Sequence, residues 1–194
     1  LAQNGVEQYL LEVLQENTAA LSLYKKQGFS ITRAFYVYEL MLDKVSLTPA
    51  SHDVQFSHKV TAIDWQRLTD FWSFSPSWQN SIESIEAVAE AFECATVWHN
   101  KKIVGYGVID RSTGDIPQLA VEKRHTHRGI GASILTALAG KTQSDRLRVL
   151  NVEDTFEDMN RFLTRSGFEQ TTSQYEMLMP VPHTLSTEGR EWFR

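Results

Sequence analysis

The residues best placed to do chemistry are Gly129 and Gly131, which bracket Ile130 at the end of a basic run of Lys123, Arg124, His125, His127 and Arg128. Before that run comes a short apolar stretch, Leu119, Ala120 and Val121. After it Ile130, Ile134, Leu135 and Leu138 fall on one helical face, so residues 118–135 predict strand, glycine turn and helix. A helix start carries N–H groups with no intrahelical partner and the positive end of the macrodipole, and glycines let a backbone close on a ligand. The junction therefore suits a phosphate or diphosphate, with Arg128 as a charged donor. The same glycines would also serve an ordinary turn. No Gly-Lys-Ser/Thr follows, which excludes a Walker loop, and the third glycine and later acid of a dinucleotide fingerprint are missing. His99, His125 and His127 have no metal-ligand spacing, so no metal is expected.

With 194 residues the chain can build one sizeable core, or one domain plus a fragment. Its 42% hydrophobic and 22% charged residues predict a soluble globular protein. A net charge of −5 leaves no electrostatic footprint for nucleic acid. Cys94 is the only cysteine, which excludes an internal disulfide and a cysteine zinc cluster and fits a reducing compartment. The first thirty residues do not read as a signal peptide and no apolar run approaches a membrane span, so a cytoplasmic location is expected.

Taken in order, residues 7–14 predict a strand, 17–27 a helix stopped by Gly28, and 29–32 and 34–42 two further strands. Residues 46–57 are polar with a proline, and 46–52 is the expected linker. Beyond it come helices over 63–72 and 82–92, with Phe71, Trp72, Phe74 and Trp78 around Pro76 between them. A hairpin over 95–98 and 103–110 follows, with Gly105 and Gly107 on one face, leaving room for something to pack close. Next are a strand at 116–121, the helix at 129–140, a strand at 147–152, a helix at 157–165 stopped by Gly167, and a closing hairpin of 168–171 with 174–179. Leu11, Val13, Gly28, Phe29, Thr32 and Tyr36 match Leu150, Val152, Gly167, Phe168, Thr171 and Tyr175 without a gap (167 − 28 = 139), an internal repeat.

The run V-E-K-R-H-T-H-R-G-I-G-A-S-I-L resembles the acetyl-CoA signature of the GNAT superfamily of N-acetyltransferases, a strand and a Q/R-x-x-G-x-G/A loop feeding a helix. Residues 126–131 fill the pattern, with Thr126 where Gln or Arg is usual. L-E-V-L-Q-E-N-T-A-A-L-S-L-Y-K-K-Q-G-F resembles the second half of such a domain. The resemblance implies an α/β (α+β) fold: a GNAT-like mixed, mostly antiparallel central sheet flanked by helices, with an additional N-terminal half-domain. It divides the chain into a C-terminal half of one GNAT domain at 1–45, a linker at 46–52, a complete acetyl-CoA-binding domain at 53–182 and a tail at 183–194.

The resemblance also implies acetyl-CoA as co-substrate. Leu119, Ala120 and Val121 would meet the pantetheine and thioester through their backbone, and His127, Arg128, Gly129, Ile130, Gly131 and Ala132 the diphosphate. Many relatives take a proton donor from a Tyr one turn before the Gly-Phe pair and a base from a Glu late in the preceding strand. Those positions hold Tyr24 and Glu12 in the first repeat but Leu163 and Asn151 in the second. That leaves Asn151, Glu153 and Tyr175 as catalytic candidates in the complete domain. The implied activity is acetyl transfer to a primary amine, of a small molecule or a peptide, by direct attack on the thioester. A CoA-binding regulatory module with little turnover is the other reading, and a third makes the first half an interaction element covering a sheet edge. Neither nucleic acid nor membrane is an expected partner, and a homodimer stays open.

Overall fold

The computed structural model describes residues 6–44, 47–57 and 64–181. The expected tail at 183–194, the first linker residue and the first residue of the 63–72 helix lie outside the described residues. The elements begin with strand β1 (Gln8–Leu14), helix α1 (Thr18–Lys26), and strands β2 (Ser30–Met41) and β3 (Gln55–Ser57). Helices α2 (Trp65–Leu68) and α3 (Ile82–Ala87) lead to strands β4 (Phe92–His99), β5 (Lys102–Asp110), β6 (Asp115–Ile116) and β7 (Gln118–Val121). Helix α4 (Ile130–Ala139), strand β8 (Arg146–Glu153), helix α5 (Glu157–Arg165) and strand β9 (Glu169–Pro180) complete the chain. Its described residues divide into two compact units, one drawn from residues 34–174 and the other from residues 1–33 with 175–194, and β2 and β9 each contribute to both.

In the larger unit, β3, β4, β5 and β7 form an antiparallel sheet in that order, and β2 pairs antiparallel with β8, whose other edge carries β6 in parallel. Helix α4 seals the first sheet with Ile130, Ile134 and Leu138, all nearly inaccessible to solvent. The fit depends on missing side chains in β5. A Cβ on Gly105 would stand 2.5 Å from Ile130 Cγ2, and one on Gly107 2.8 Å from Ile134 Cγ2. Trp65, Leu68, Phe71 and Ile85 cover the other face around the buried ring of Tyr106.

Several elements differ from their sequence-based expectation. The hairpin expected over 95–98 and 103–110 forms as β4 and β5, but 29–32 with 34–42, expected as two strands, and 168–171 with 174–179, expected as a hairpin, are the single strands β2 and β9, each twelve residues long. The 63–72 helix reduces to α2 and a 3-10 turn at Thr69–Phe71, since Trp72 turns extended (ψ 134°) and carries its indole onto Tyr106. Helix 82–92 stops at Ala87, where Val88 leaves helical geometry (φ −132°, ψ 40°), and Phe92 already pairs with Asp110 in β4. The expected strand 116–121 is two strands broken at Pro117, which has no N–H for a ladder. Helices α1 and α5, and strands β2 and β9, lie 139 positions apart end to end.

In the smaller unit β1 lies beside β9, and the Val181 amide donates to the Glu7 carbonyl at 2.8 Å. Arg33 Nη2 approaches Glu176 Oε2 at 2.6 Å, and Thr32 Oγ1 donates to Glu176 Oε1 at 2.8 Å. Burial works to raise the Glu176 carboxyl, but these donors outweigh it and hold it below the usual carboxylate range. A depressed folded value means that this stabilisation is complete above about pH 4.3, the ordinary Glu value, and is lost as pH falls through the folded one. Arg33→Met should therefore lower stability at neutral pH by about 3 kcal/mol, and the gap to wild type should close in strong acid. Urea unfolding at pH 7 and at successively lower pH measures both.

Candidate functional site

The site begins where two strands part. Asp115 and Ile116 pair in parallel with Arg148 and Val149, and the Arg148 guanidinium locks that register with two 2.7 Å bonds to the Asp115 carboxylate. After Pro117 the chain turns to β5, pairing Gln118 with Val108 through to Val121 with Gly105. β7 is the last strand of its sheet, so its far edge keeps its backbone groups for another partner. Between that edge and β8 lies a cavity of about 670 Å³.

Its floor is a chain of buried hydrogen bonds. Trp72 Nε1 donates to Tyr106 Oη at 2.6 Å, Tyr106 Oη to Gln118 Oε1 at 2.8 Å, and Gln118 Nε2 to the Asn80 carbonyl at 2.7 Å. Asn80 Nδ2 then donates to the Leu150 carbonyl at 3.0 Å, which ties the aromatic loop to both parted strands. Burial pushes the Tyr106 phenol far up and keeps it neutral. Beside it β8 bulges: Tyr38 pairs with Val149 and Tyr36 with Val152, so one strand carries an extra residue. Asn151 takes a left-handed conformation (φ 57°) there, and its Nδ2 donates to Ser77 Oγ at 2.9 Å. Such a bulge re-aims the backbone of a strand.

At the other end the wall is the glycine loop. His127 (φ 60°) and Gly129 (φ 83°) are both left-handed, and the first bond of α4 runs from the Ser133 amide to the Gly129 carbonyl at 2.9 Å. The amides of Ile130, Gly131 and Ala132 therefore precede that bond and belong to residues lining the cavity, an anion-accepting row at a helix start. A Cβ on Gly131 would come 3.0 Å from the Phe162 ring, so glycine keeps α4 close to α5 there. Glu122 lies just before the loop, held below the usual carboxylate range by Arg124 and by His125, whose Nδ1 lies 2.7 Å from Glu122 Oε2.

Leu119, Ala120, Val121, His127, Gly129, Ile130, Gly131 and Ala132 all line the cavity. Arg128 does not, and its carbonyl meets the His52 ring. Of the catalytic candidates Asn151 lines the cavity. Glu153 is not among the lining residues, and its carboxylate accepts Thr155 Oγ1 at 3.2 Å. Tyr175 lies in the smaller unit, outside the lining. Phe71, Trp72 and Phe74 join the wall, the Phe74 ring centred 5.2 Å from that of Phe156 and tilted 51° to it, whereas Trp78 is exposed. Sequence reasoning missed Asn80, Gln118, Tyr106 and Ser77. Gln118 carried the one available signal, an amide in an otherwise apolar strand whose burial demands a partner.

The model of the acetyltransferase (GNAT) domain matches residues 63–178, more than half of the chain. No curated protein matches it. Among solved structures, a GCN5-related N-acetyltransferase from Sphaerobacter thermophilus superposes with a TM-score of 0.61 at 17% identity, over 90% of this chain and 60% of that one. The chain thus spans less than two thirds of that relative's length. A conserved protein of unknown function from Staphylococcus epidermidis gives 0.61 at 18%, over 91% and 74%. A tandem GNAT protein of clavulanic acid biosynthesis gives 0.64 at 11%, over 93% and 66%. At such identities the likeness is one of fold. With the domain match covering the parted strands and the glycine loop, the chain belongs to the GNAT family of acetyltransferases.

Proposed function

We propose that this chain is an acetyl-CoA-dependent N-acetyltransferase acting on a primary amine by direct attack. The observation that carries the reading is the parting of β7 from β8 at Pro117, which leaves a backbone edge beside a cavity that ends at the α4 start. The amides of 119–121 would receive the pantetheine and thioester, and those around 127–132 the diphosphate. These residues hold the thioester still and exclude water from it. The amine, having lost a proton to solvent, forms the C–N bond at the thioester carbonyl; the C–S bond breaks, and the second proton that the attacking nitrogen sheds balances the one the departing thiolate takes up. Transfer through an enzyme thiol is disfavoured, because Cys94 is buried and its thiol is pushed up to about 12.

A second reading, a CoA-binding module with little turnover, has its own observation. Leu163, at the position where many relatives carry a tyrosine, is wholly buried, and no proton donor replaces it on α5 at that turn. Residues 1–45 are then read as the C-terminal half of a second GNAT domain, supported by the common offset of α1 with α5 and β2 with β9. Calorimetric titration with acetyl-CoA, alongside thiol release over a panel of amines, separates these readings. The enzyme requires one-to-one binding and amine-dependent release. Binding without release selects the module, and absence of binding removes both.

A further inference from the structure

Residues 47–52 do not merely link elements; they line the back of the glycine loop. The hydroxyl of buried Ser133, on the first turn of α4, accepts the amides of Ser51 (3.0 Å) and His52 (3.2 Å) while donating to the Gly129 carbonyl at 3.0 Å. One turn on, Thr136 Oγ1 donates to the Thr48 carbonyl at 2.7 Å. The segment thus runs along the helix and delivers His52 Nε2 to 2.7 Å from the Arg128 carbonyl. A carbonyl only accepts, so Nε2 carries the proton of this bond.

The carbonyl of Arg128 and the amide of Gly129 belong to one trans peptide plane, in which C=O and N–H point in opposite directions. Gly129 and His127 line the cavity whereas Arg128 does not. A carbonyl drawn outward to His52 therefore turns the Gly129 N–H toward the cavity. Without the bond, glycine at φ 83°, two residues after left-handed His127, has alternative peptide orientations within easy reach.

We propose that His52 is a positioning residue for the diphosphate site, acting through the Arg128–Gly129 peptide without touching the ligand. The inference rests on the acetyl-CoA reading above. Titrations of wild type, His52→Ala and His52→Gln with acetyl-CoA and with acetyl-pantetheine, which lacks the diphosphate, test it. The alanine variant should bind acetyl-CoA about 5-fold more weakly, consistent with one lost hydrogen bond, with unchanged affinity for acetyl-pantetheine and an unliganded melting temperature lowered by no more than about 2–4 °C. Glutamine, which restores an N–H at similar reach, should recover most of the loss. In turnover the defect should raise KM for acetyl-CoA and spare kcat. Equal acetyl-CoA affinity in wild type and His52→Ala overturns the inference, as does an equal loss for both ligands. If wild type itself binds no acetyl-CoA, the failure belongs to the cofactor reading.

Discussion

Gly129→Asp should weaken acetyl-CoA binding by at least about 100-fold while the protein stays folded. The position is exposed, left-handed at φ 83°, and next to the first free amides of α4. An added Cβ would stand 2.9 Å from Ser51 Oγ and 4.0 Å from His52 Nε2, so the new carboxylate is rooted at the back of the loop and acts on the diphosphate through space. At an effective dielectric near 20, like charges about 7 Å apart repel by about 2.4 kcal/mol, and a diphosphate presents more than one. The left-handed backbone adds a smaller cost, which asparagine shares because both residues tolerate that region. Gly129→Asn is therefore the control: it carries the steric change without the charge and should lose only a few-fold. Calorimetric titration of both variants gives the comparison, with far-ultraviolet circular dichroism to verify folding. Unchanged affinity in the aspartate variant would remove the glycine loop from the cofactor site.

Gly107→Val should lower stability by about 3 kcal/mol. The Cβ alone would lie 2.8 Å from Ile134 Cγ2 and 3.1 Å from Leu138 Cδ1, before either γ-methyl is placed. Ile134 cannot swing aside easily, because its Cγ2 is fixed one bond from Cβ and the side chain is fully buried. Valine's greater preference for strands, worth up to about 1 kcal/mol, does not offset a displacement of α4. In a protein of this size the loss corresponds to a fall in melting temperature of about 6–12 °C. Calorimetry on the variant would expose a mistaken seating of α4, since an open face at Gly107 would accept valine at little cost.

The two effects meet at one helix. The face of α4 that carries Ile134 and Leu138 sets its height above β5, and its first turn carries the amides of the candidate diphosphate site. Overpacking at Gly107 should therefore reach the glycine loop as well as the core.

The local parts of this design were legible in the residues. The helical spacing of Ile130, Ile134 and Leu138, the glycines before them and the 139-residue offset of the repeat are short-range patterns, written at the period of the structure they form. Gly28 and Gly167 stop their helices in left-handed conformations for the same local reason. Long-range pairing has no such period. Whether 29–42 is two strands or one depends on β8, which lies more than a hundred residues away and pairs with it from Phe35 to Met41. The parting at Pro117 depends on two competing ladders, β8 holding Ile116 and β5 claiming Gln118. The Trp72–Tyr106–Gln118–Asn80 chain and the contact of His52 with Arg128 join residues from separate segments, with no spacing that announces them. By itself the sequence determined where a helix start with free amides would be. Only the tertiary structure decided what lies in front of those amides, a cavity between parted strands, and what lies behind them, because both surfaces are made by chain that arrives from elsewhere.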